Sequence, residues 1–162
     1  MIRVGLGYDV HAFDAGRPLI LGGVTIADSP GLAGHSDADV VSHAIADALL
    51  GAARLGDLGS LFPEDERWRD ASSLDILVQT ARAVSDAGWT IVNVDATIVA
   101  ESPPLVPYRE NMIDMVAAAL GLATSSVWLK ATSTDGLGFT GRGEGIGAMA
   151  VVLIERSDRP LG

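Results

Sequence analysis

Three helix-length stretches, each followed by a glycine and separated by apolar strand-length runs, restrict this 162-residue chain to folds that lay helices against a sheet. Helices are predicted over 38–55, 72–87 and 107–120, closing at or near Gly56, Gly88 and Gly121, because glycine accepts the left-handed backbone that ends a helix. Strands are predicted over 2–8 and 19–26 around a turn at Asp14-Ala15-Gly16, then over 89–100, 127–133 and 146–156. The Pro103-Pro104 pair forbids the third of these runs from continuing as a central strand. Segments 57–70 and 135–145 read as loops, the first acidic and the second glycine-rich. The expected fold class is α/β (an α+β sandwich), a single mixed β-sheet packed against helices. One domain is expected over 1–157, followed by a C-terminal tail at 158–162, with no internal repeat or linker.

Composition narrows the partners. No apolar run reaches the roughly 18–20 residues of a membrane span, so no membrane partner is expected. The N-terminus lacks a basic-then-apolar leader. The chain has no cysteine, which removes disulfides and thiolate metal sites; a cytoplasmic location is expected. Formal net charge is −10 and Lys130 is the sole lysine, the opposite of the basic stripe that nucleic acid requires. A chain this acidic acting on a phosphate ester needs bound cations to supply positive charge.

All three histidines fall in two short segments. Asp9 and His11 lie two residues apart, a spacing that puts both side chains on one face of a strand. His43, on the first helix, completes a three-ligand set with an open position, the arrangement of a catalytic zinc site. On that helix Val41, Ala44, Ile45, Ala48, Leu49 and Ala52 form the buried stripe, and Ser36 or Asp37 is the expected N-cap. Asp39, His43 and Asp47 follow at steps of four on one side, either as a solvated face or as carboxylates orienting the imidazole.

The other motifs each admit an ordinary structural reading. His35-Ser36 reads as a cap, Asp57-Leu58-Gly59 as a helix-exit turn, Thr132-Ser133-Thr134-Asp135 as a polar turn after a strand, and 136–145 as a flexible loop. Their functional readings are hydroxyls and amides facing a phosphate, Asp135 on a second metal, and glycine backbone approaching an anion with Arg142 as the fork. The loop is not a P-loop, since the closing Gly-Lys-Ser/Thr is missing.

Taken in order, Gly7-Tyr8-Asp9-Val10-His11, Gly34-His35-Ser36-Asp37-Ala38-Asp39-Val40, the helix from His43 to Ala52, Leu55-Gly56-Asp57-Leu58-Gly59, Phe62-Pro63 and Gly138-Phe139-Thr140-Gly141-Arg142-Gly143-Glu144-Gly145 resemble the 2-C-methyl-D-erythritol 2,4-cyclodiphosphate synthase family across nearly the whole chain. That resemblance implies a phosphorus–oxygen lyase of the non-mevalonate isoprenoid route. It would convert 4-diphosphocytidyl-2-C-methyl-D-erythritol 2-phosphate to the 2,4-cyclodiphosphate plus CMP by intramolecular, metal-assisted phosphoryl transfer. It implies a homotrimer around a three-fold axis with active sites at subunit interfaces, in the free-standing rather than the fused form. The implied zinc (or other divalent transition metal) ligands are Asp9, His11 and His43, with Mg2+ or Mn2+ at the diphosphate using Asp135. His35, Ser133 and Asp135 are the implied catalytic residues. Implied substrate contacts are Asp9, Val10, His11, His35 and Ser36; Asp57, Leu58 and Gly59 at sugar hydroxyls; and Phe62, Pro63, Glu64, Asp65 and Glu66 on the methylerythritol side. Ala100, Glu101, Ser102, Pro103, Pro104, Leu105 and Val106 would form the cytosine pocket, with Thr132, Ser133, Thr134 and Asp135 near the diphosphate, and Phe139 and Arg142 completing the set. Arg142 would also face an axial cavity, lined by strand 146–154, that takes an isoprenoid diphosphate.

The chain departs from the family pattern at Pro104 (usually lysine), Asp135 (glutamate), Glu64 (aspartate) and Ser133 (threonine). None of these is an implied zinc ligand. Two other classes compete. A metal-dependent phosphohydrolase would release linear phosphates carrying solvent oxygen. A non-catalytic trimeric module binding isoprenoid diphosphates through Arg142 and Glu144 would keep its function when His43 is replaced by alanine.

Overall fold

The computed structural model describes residues 1–63 and 65–156. Five strands, β1 (Ile2–Leu21), β2 (Val24–Leu32), β3 (Thr90–Val99), β4 (Val127–Thr132) and β5 (Gly145–Glu155), form one sheet in the order β2-β1-β5-β3-β4. The β3–β4 pair is parallel and every other pair antiparallel, so the sheet is mixed as expected. Among the described residues five α-helices accompany it: α1 (Val40–Ala53), α2 (Leu58–Leu61), α3 (Ser73–Asp86), α4 (Arg109–Leu120) and α5 (Gly138–Gly141). No helix of the described residues is long and apolar enough to cross a membrane.

β1 corrects the sequence reading. The expected break at Asp14-Ala15-Gly16 is not a turn; one 20-residue strand runs through it. Residues 2–12 pair with β5, from Ile2 opposite Glu155 to Ala12 opposite Gly145. Residues 13–21 pair with β2, with register shifts between Asp14 and Leu19. The irregularity absorbs the Asp-Ala-Gly sequence, and the Asp14 carboxylate accepts the Gly16 N–H at 2.9 Å. The true hairpin is two residues long, Gly22-Gly23, both at positive φ, which is the glycine-rich geometry that tight hairpins favour. The short helices α2 and α5 lie inside segments read as loops.

One sheet face is covered by helices. α1 packs on β1 and β5, and α3 joins α1 to α4. Ala44, Ala48 and Leu49 of α1 are fully buried, as are Ala148, Ala150 and Val152 of β5. The opposite face of β1 and β5 is bare: Ile2, Val4, Leu6, Tyr8, Met149 and Val151 are all exposed, Leu6 at 69% and Val151 at 46%. Leu6 is opposite Val151 and Tyr8 opposite Met149, so the exposed residues form one contiguous apolar patch.

The N-cap of α1 falls two to three residues later than expected. Asp39 is the N-cap, its Oδ1 accepting from the Val41 and Ser42 amides at 3.1 Å. Ser36 and Asp37 are committed elsewhere, to His43 and Ser73.

Candidate metal centre and substrate cavity

The alternation of β1 places Gly5, Gly7, Asp9 and His11 on the helix-covered face. His43 sits in the first turn of α1 and points back at Asp9. Asp9 Oδ2 lies 2.9 Å from His11 Nε2 and 3.1 Å from His43 Nδ1, and the two ring nitrogens are 3.3 Å apart. One ligand atom from each residue falls within 4.8 Å of the others. One carboxylate and two imidazoles converging at that spacing fit a divalent transition metal with an open position. The His11 Nδ1 faces the Ala33 carbonyl at 2.5 Å, so its other nitrogen is turned to the cluster, the usual way a ligand ring is oriented.

Burial would raise the Asp9 pKa, but the His11 and His43 rings beside it outweigh that and hold the carboxyl well below the usual range. Burial would lower the His11 pKa, and the adjacent Asp9 carboxylate reverses that, leaving it raised. The three groups thus form a cluster in which a negative charge is stabilised by its two imidazoles.

The triad opens into a cavity of about 180 Å3 that His35, Ser36, Leu58, Gly59 and Phe62 also line. His35 Nε2 lies 2.6 Å from the Asp65 carbonyl, and Arg17 donates to the Gly34 and Ser36 carbonyls, clamping the loop that carries both residues. Asp57 is the N-cap of α2, accepting from the Ser60 amide at 2.8 Å, rather than part of a plain helix exit. Asp65 is bound by Arg67 and Glu66 by Arg69, each with a shortest contact of 2.6 Å. Glu64 and the expected tail at 158–162 lie outside the described residues.

The expected residues 100–106 and 132–135 gather elsewhere, at the C-terminal ends of β3 and β4. Leu105 and Val106 line a second cavity with Ile98, Arg109 and Lys130, and no residue is common to the two cavities. Val10 is opposite Gly147, Gly147 opposite Val99, and Val99 opposite Thr132. Both groups therefore lie at one end of the sheet, but β4 is three strand spacings, about 14 Å, from β1. Ser133 Oγ is 3.3 Å from Asp135 Oδ1. Glu101 Oε1 accepts the Thr134 amide at 2.9 Å and the Gly136 amide at 3.2 Å, and so holds this turn to the end of β3.

Two sequence readings change here. Asp39 and Asp47 neither orient His43 nor form a solvated face. Asp39 is fully buried and accepts the Gly22 and Gly23 amides as well as its own helix's; burial raises its pKa. Asp47 accepts the Leu58 amide at 3.2 Å. In the glycine-rich loop, Gly141 and Gly145 permit contact between chain segments: a Cβ would meet Gly136 backbone at 2.2 Å and the His11 carbonyl at 2.2 Å respectively. Phe139 is partly exposed, and Arg142 pairs with Glu144 at 2.7 Å on the surface.

Sequence reasoning missed Ser73, Arg17 and the structural roles of Asp37 and Glu101. Their partners are distant in sequence, and no spacing rule marks them.

Comparison with known proteins follows this geometry. A family model described as the YgbB family matches residues 2–155. The 2-C-methyl-D-erythritol 2,4-cyclodiphosphate synthase of Moorella thermoacetica is 57% identical over 154 residues, 94% of each chain. The structure of the bifunctional IspDF of Campylobacter jejuni superposes with a TM-score of 0.93 at 40% identity, over 98% of this chain and 43% of that one. A CDP complex of IspF from Plasmodium falciparum superposes at 0.84 with 31% identity, over 97% of both chains.

Proposed function

This chain belongs to the YgbB family, and on that premise we propose that it is a 2-C-methyl-D-erythritol 2,4-cyclodiphosphate synthase acting as a phosphorus–oxygen lyase. The observation that carries the reading is the Asp9–His11–His43 cluster opening into a cavity shared with His35 and Ser36. The names of its relatives agree with it.

The reaction is an internal displacement. An oxygen of the substrate's own 2-phosphate bonds to the β-phosphorus, the bond from that phosphorus to the α–β bridging oxygen breaks, and CMP leaves with that oxygen. No protein nucleophile is consumed and no water enters, so the chain's task is positioning and charge neutralisation. Asp9, His11 and His43 would hold zinc, which when bound supplies Lewis-acid polarisation to a phosphate oxygen. His35 and Ser36 would grip the methylerythritol phosphate end, and Asp57, Leu58 and Gly59 its hydroxyls. Leu105 and Val106 with their neighbours from Ala100 onward would seat the cytosine, consistent with the CDP complex of the Plasmodium falciparum relative. Ser133 and Asp135 would serve the diphosphate, with Mg2+ or Mn2+ brought along with it.

The two residue groups belong, in this proposal, to one active site completed by a neighbouring subunit of a homotrimer. The separation of the two cavities and the bare apolar face of β1 and β5 support that assembly. Arg142 and strand β5 would then border an axial cavity suited to an isoprenoid diphosphate.

Phosphorus NMR tests the reading. Incubated with the diphosphocytidyl substrate and magnesium, the protein should yield CMP and two coupled cyclic-diphosphate resonances, both lost on zinc chelation. Linear phosphates instead would mean hydrolysis, and an unchanged spectrum from zinc-loaded protein would mean a binding module.

A further inference from the structure

The His43 ring has two nitrogens, and the metal-centre reading uses only Nδ1. Its Nε2 faces inward, 2.9 Å from Ser73 Oγ and 3.1 Å from Ser36 Oγ. Ser73 is fully buried and Ser36 and His43 are nearly so, so water does not stand in for these contacts.

Proton bookkeeping at Ser73 decides the direction of the bond. A serine hydroxyl has one proton to donate. Ser73 gives it to Asp37 Oδ1. The Asp37 carboxylate also accepts the Ser73 amide at 2.9 Å and the Asp39 amide at 3.2 Å, so it meets only donors. The Ser73 oxygen is then left as an acceptor toward His43. Ser36 Oγ accepts the Ala38 amide at 3.2 Å and lies 3.1 Å from the same ring nitrogen. Nε2 must carry the proton, and in a neutral imidazole the other nitrogen is then unprotonated.

We propose that Ser73, backed by Asp37, is a positioning residue of the metal centre: it fixes the His43 tautomer so that Nδ1 presents its lone pair beside Asp9 and His11. The inference rests on the metal-centre reading above and extends it. Ligand histidines ordinarily donate their second N–H directly to a carboxylate or carbonyl. Here the carboxylate acts through a hydroxyl. Asp37 also ties the first residue of α3 to the loop before α1, so the start of one helix sets the ring orientation in another.

Two measurements test this. In protein labelled with 15N-histidine, long-range proton–nitrogen correlation should show the neutral His43 ring carrying its proton on Nε2 before zinc is added, and a metal-shifted Nδ1 after; a proton on Nδ1 of the zinc-free ring overturns the proposal. Zinc competition against a chromophoric chelator should show Ser73→Ala binding zinc about 10- to 100-fold more weakly, with a changed Co2+ d–d spectrum, and Ser73→Thr close to the parent. Unchanged affinity in folded Ser73→Ala overturns the proposal while the metal centre stands. A parent chain that takes up no zinc overturns the metal-centre reading itself, and this inference with it. The tautomer measurement needs no variant and decides the matter even where Ser73→Ala does not fold.

Discussion

A Cβ placed on Gly7 would lie 2.0 Å from the carbonyl oxygen of Ala44. The same holds one pleat earlier, where a Cβ on Gly5 would lie 1.9 Å from the Ala48 carbonyl. The two glycines let α1 lie directly on β1, and that approach puts His43, the residue before Ala44, against Asp9, two residues past Gly7. The obstructing atoms are helix backbone, which cannot swing aside as a side chain would. Gly7→Ala should therefore destabilise the fold by at least about 3 kcal/mol, the upper part of the range for overpacked cores. It should also weaken zinc binding, because the helix must lift from the strand. Urea denaturation of chelated protein and zinc competition on the folded fraction check the two effects separately.

Asp39 is a buried N-cap whose carboxylate also accepts from the Gly22-Gly23 turn and from the Ser42 hydroxyl. Asp39→Ala removes the cap of α1 and leaves buried donors without partners. The expected loss is about 3–5 kcal/mol, a cap together with orphaned buried donors. Denaturant unfolding measures it. A loss under about 1 kcal/mol, the worth of an ordinary exposed cap, would show that the hairpin contacts contribute nothing.

Helix positions, the apolar strands and the Asp9–His11–His43 group were legible in the chain because each rests on local periodicity or on spacing along one element. The continuity of β1 was not. Asp14-Ala15-Gly16 has turn composition, yet tertiary pairing with β2 keeps it in the sheet through a register shift. The Asp39/His43/Asp47 ladder has the right spacing for mutual contact, yet the buried hairpin draws Asp39 away and α2 takes Asp47. The contacts of Ser73 with His43 and with Asp37 were invisible because they join segments 30 and 36 residues apart. Such contacts follow from packing, which a single sequence does not display.

Glu101 holds the turn that carries Ser133 and Asp135. Hydrogen bonds from the Thr134 and then the Gly136 backbone lower its pKa. A carboxylate with a depressed folded pKa contributes order that is present above its unfolded value, near 4.3, and is lost as pH falls through the depressed folded value. The anchor is thus complete at neutral pH. Amide exchange at Thr134 and Gly136 should be slow there, once corrected for intrinsic rates, and should lose protection only below about pH 4. Glu101→Gln should remove that protection at neutral pH and lower turnover about tenfold through misplacement of the loop. Zinc affinity should be unaffected, because the triad lies across the sheet. Equal exchange in parent and variant would mean the carboxylate does not hold the turn.

Leu6 and Val151 face each other on the bare side of the sheet, in a patch that also holds Ile2, Val4, Tyr8 and Met149. Exposed contiguous apolar surface of this kind marks an interface, and charges placed in it should separate subunits without disturbing the core behind. The double variant Leu6→Asp with Val151→Asp should sediment as a single chain, and the parent should sediment at three times that mass. Its zinc content should stay at one per chain, because Asp9, His11 and His43 all come from the same chain. Cyclisation should fall below detection, because Ser133 and Asp135 would no longer be delivered by a neighbour. A monomeric variant that keeps parental turnover would show that one chain carries a complete site, and the two cavities would then have to be joined by movement within the chain.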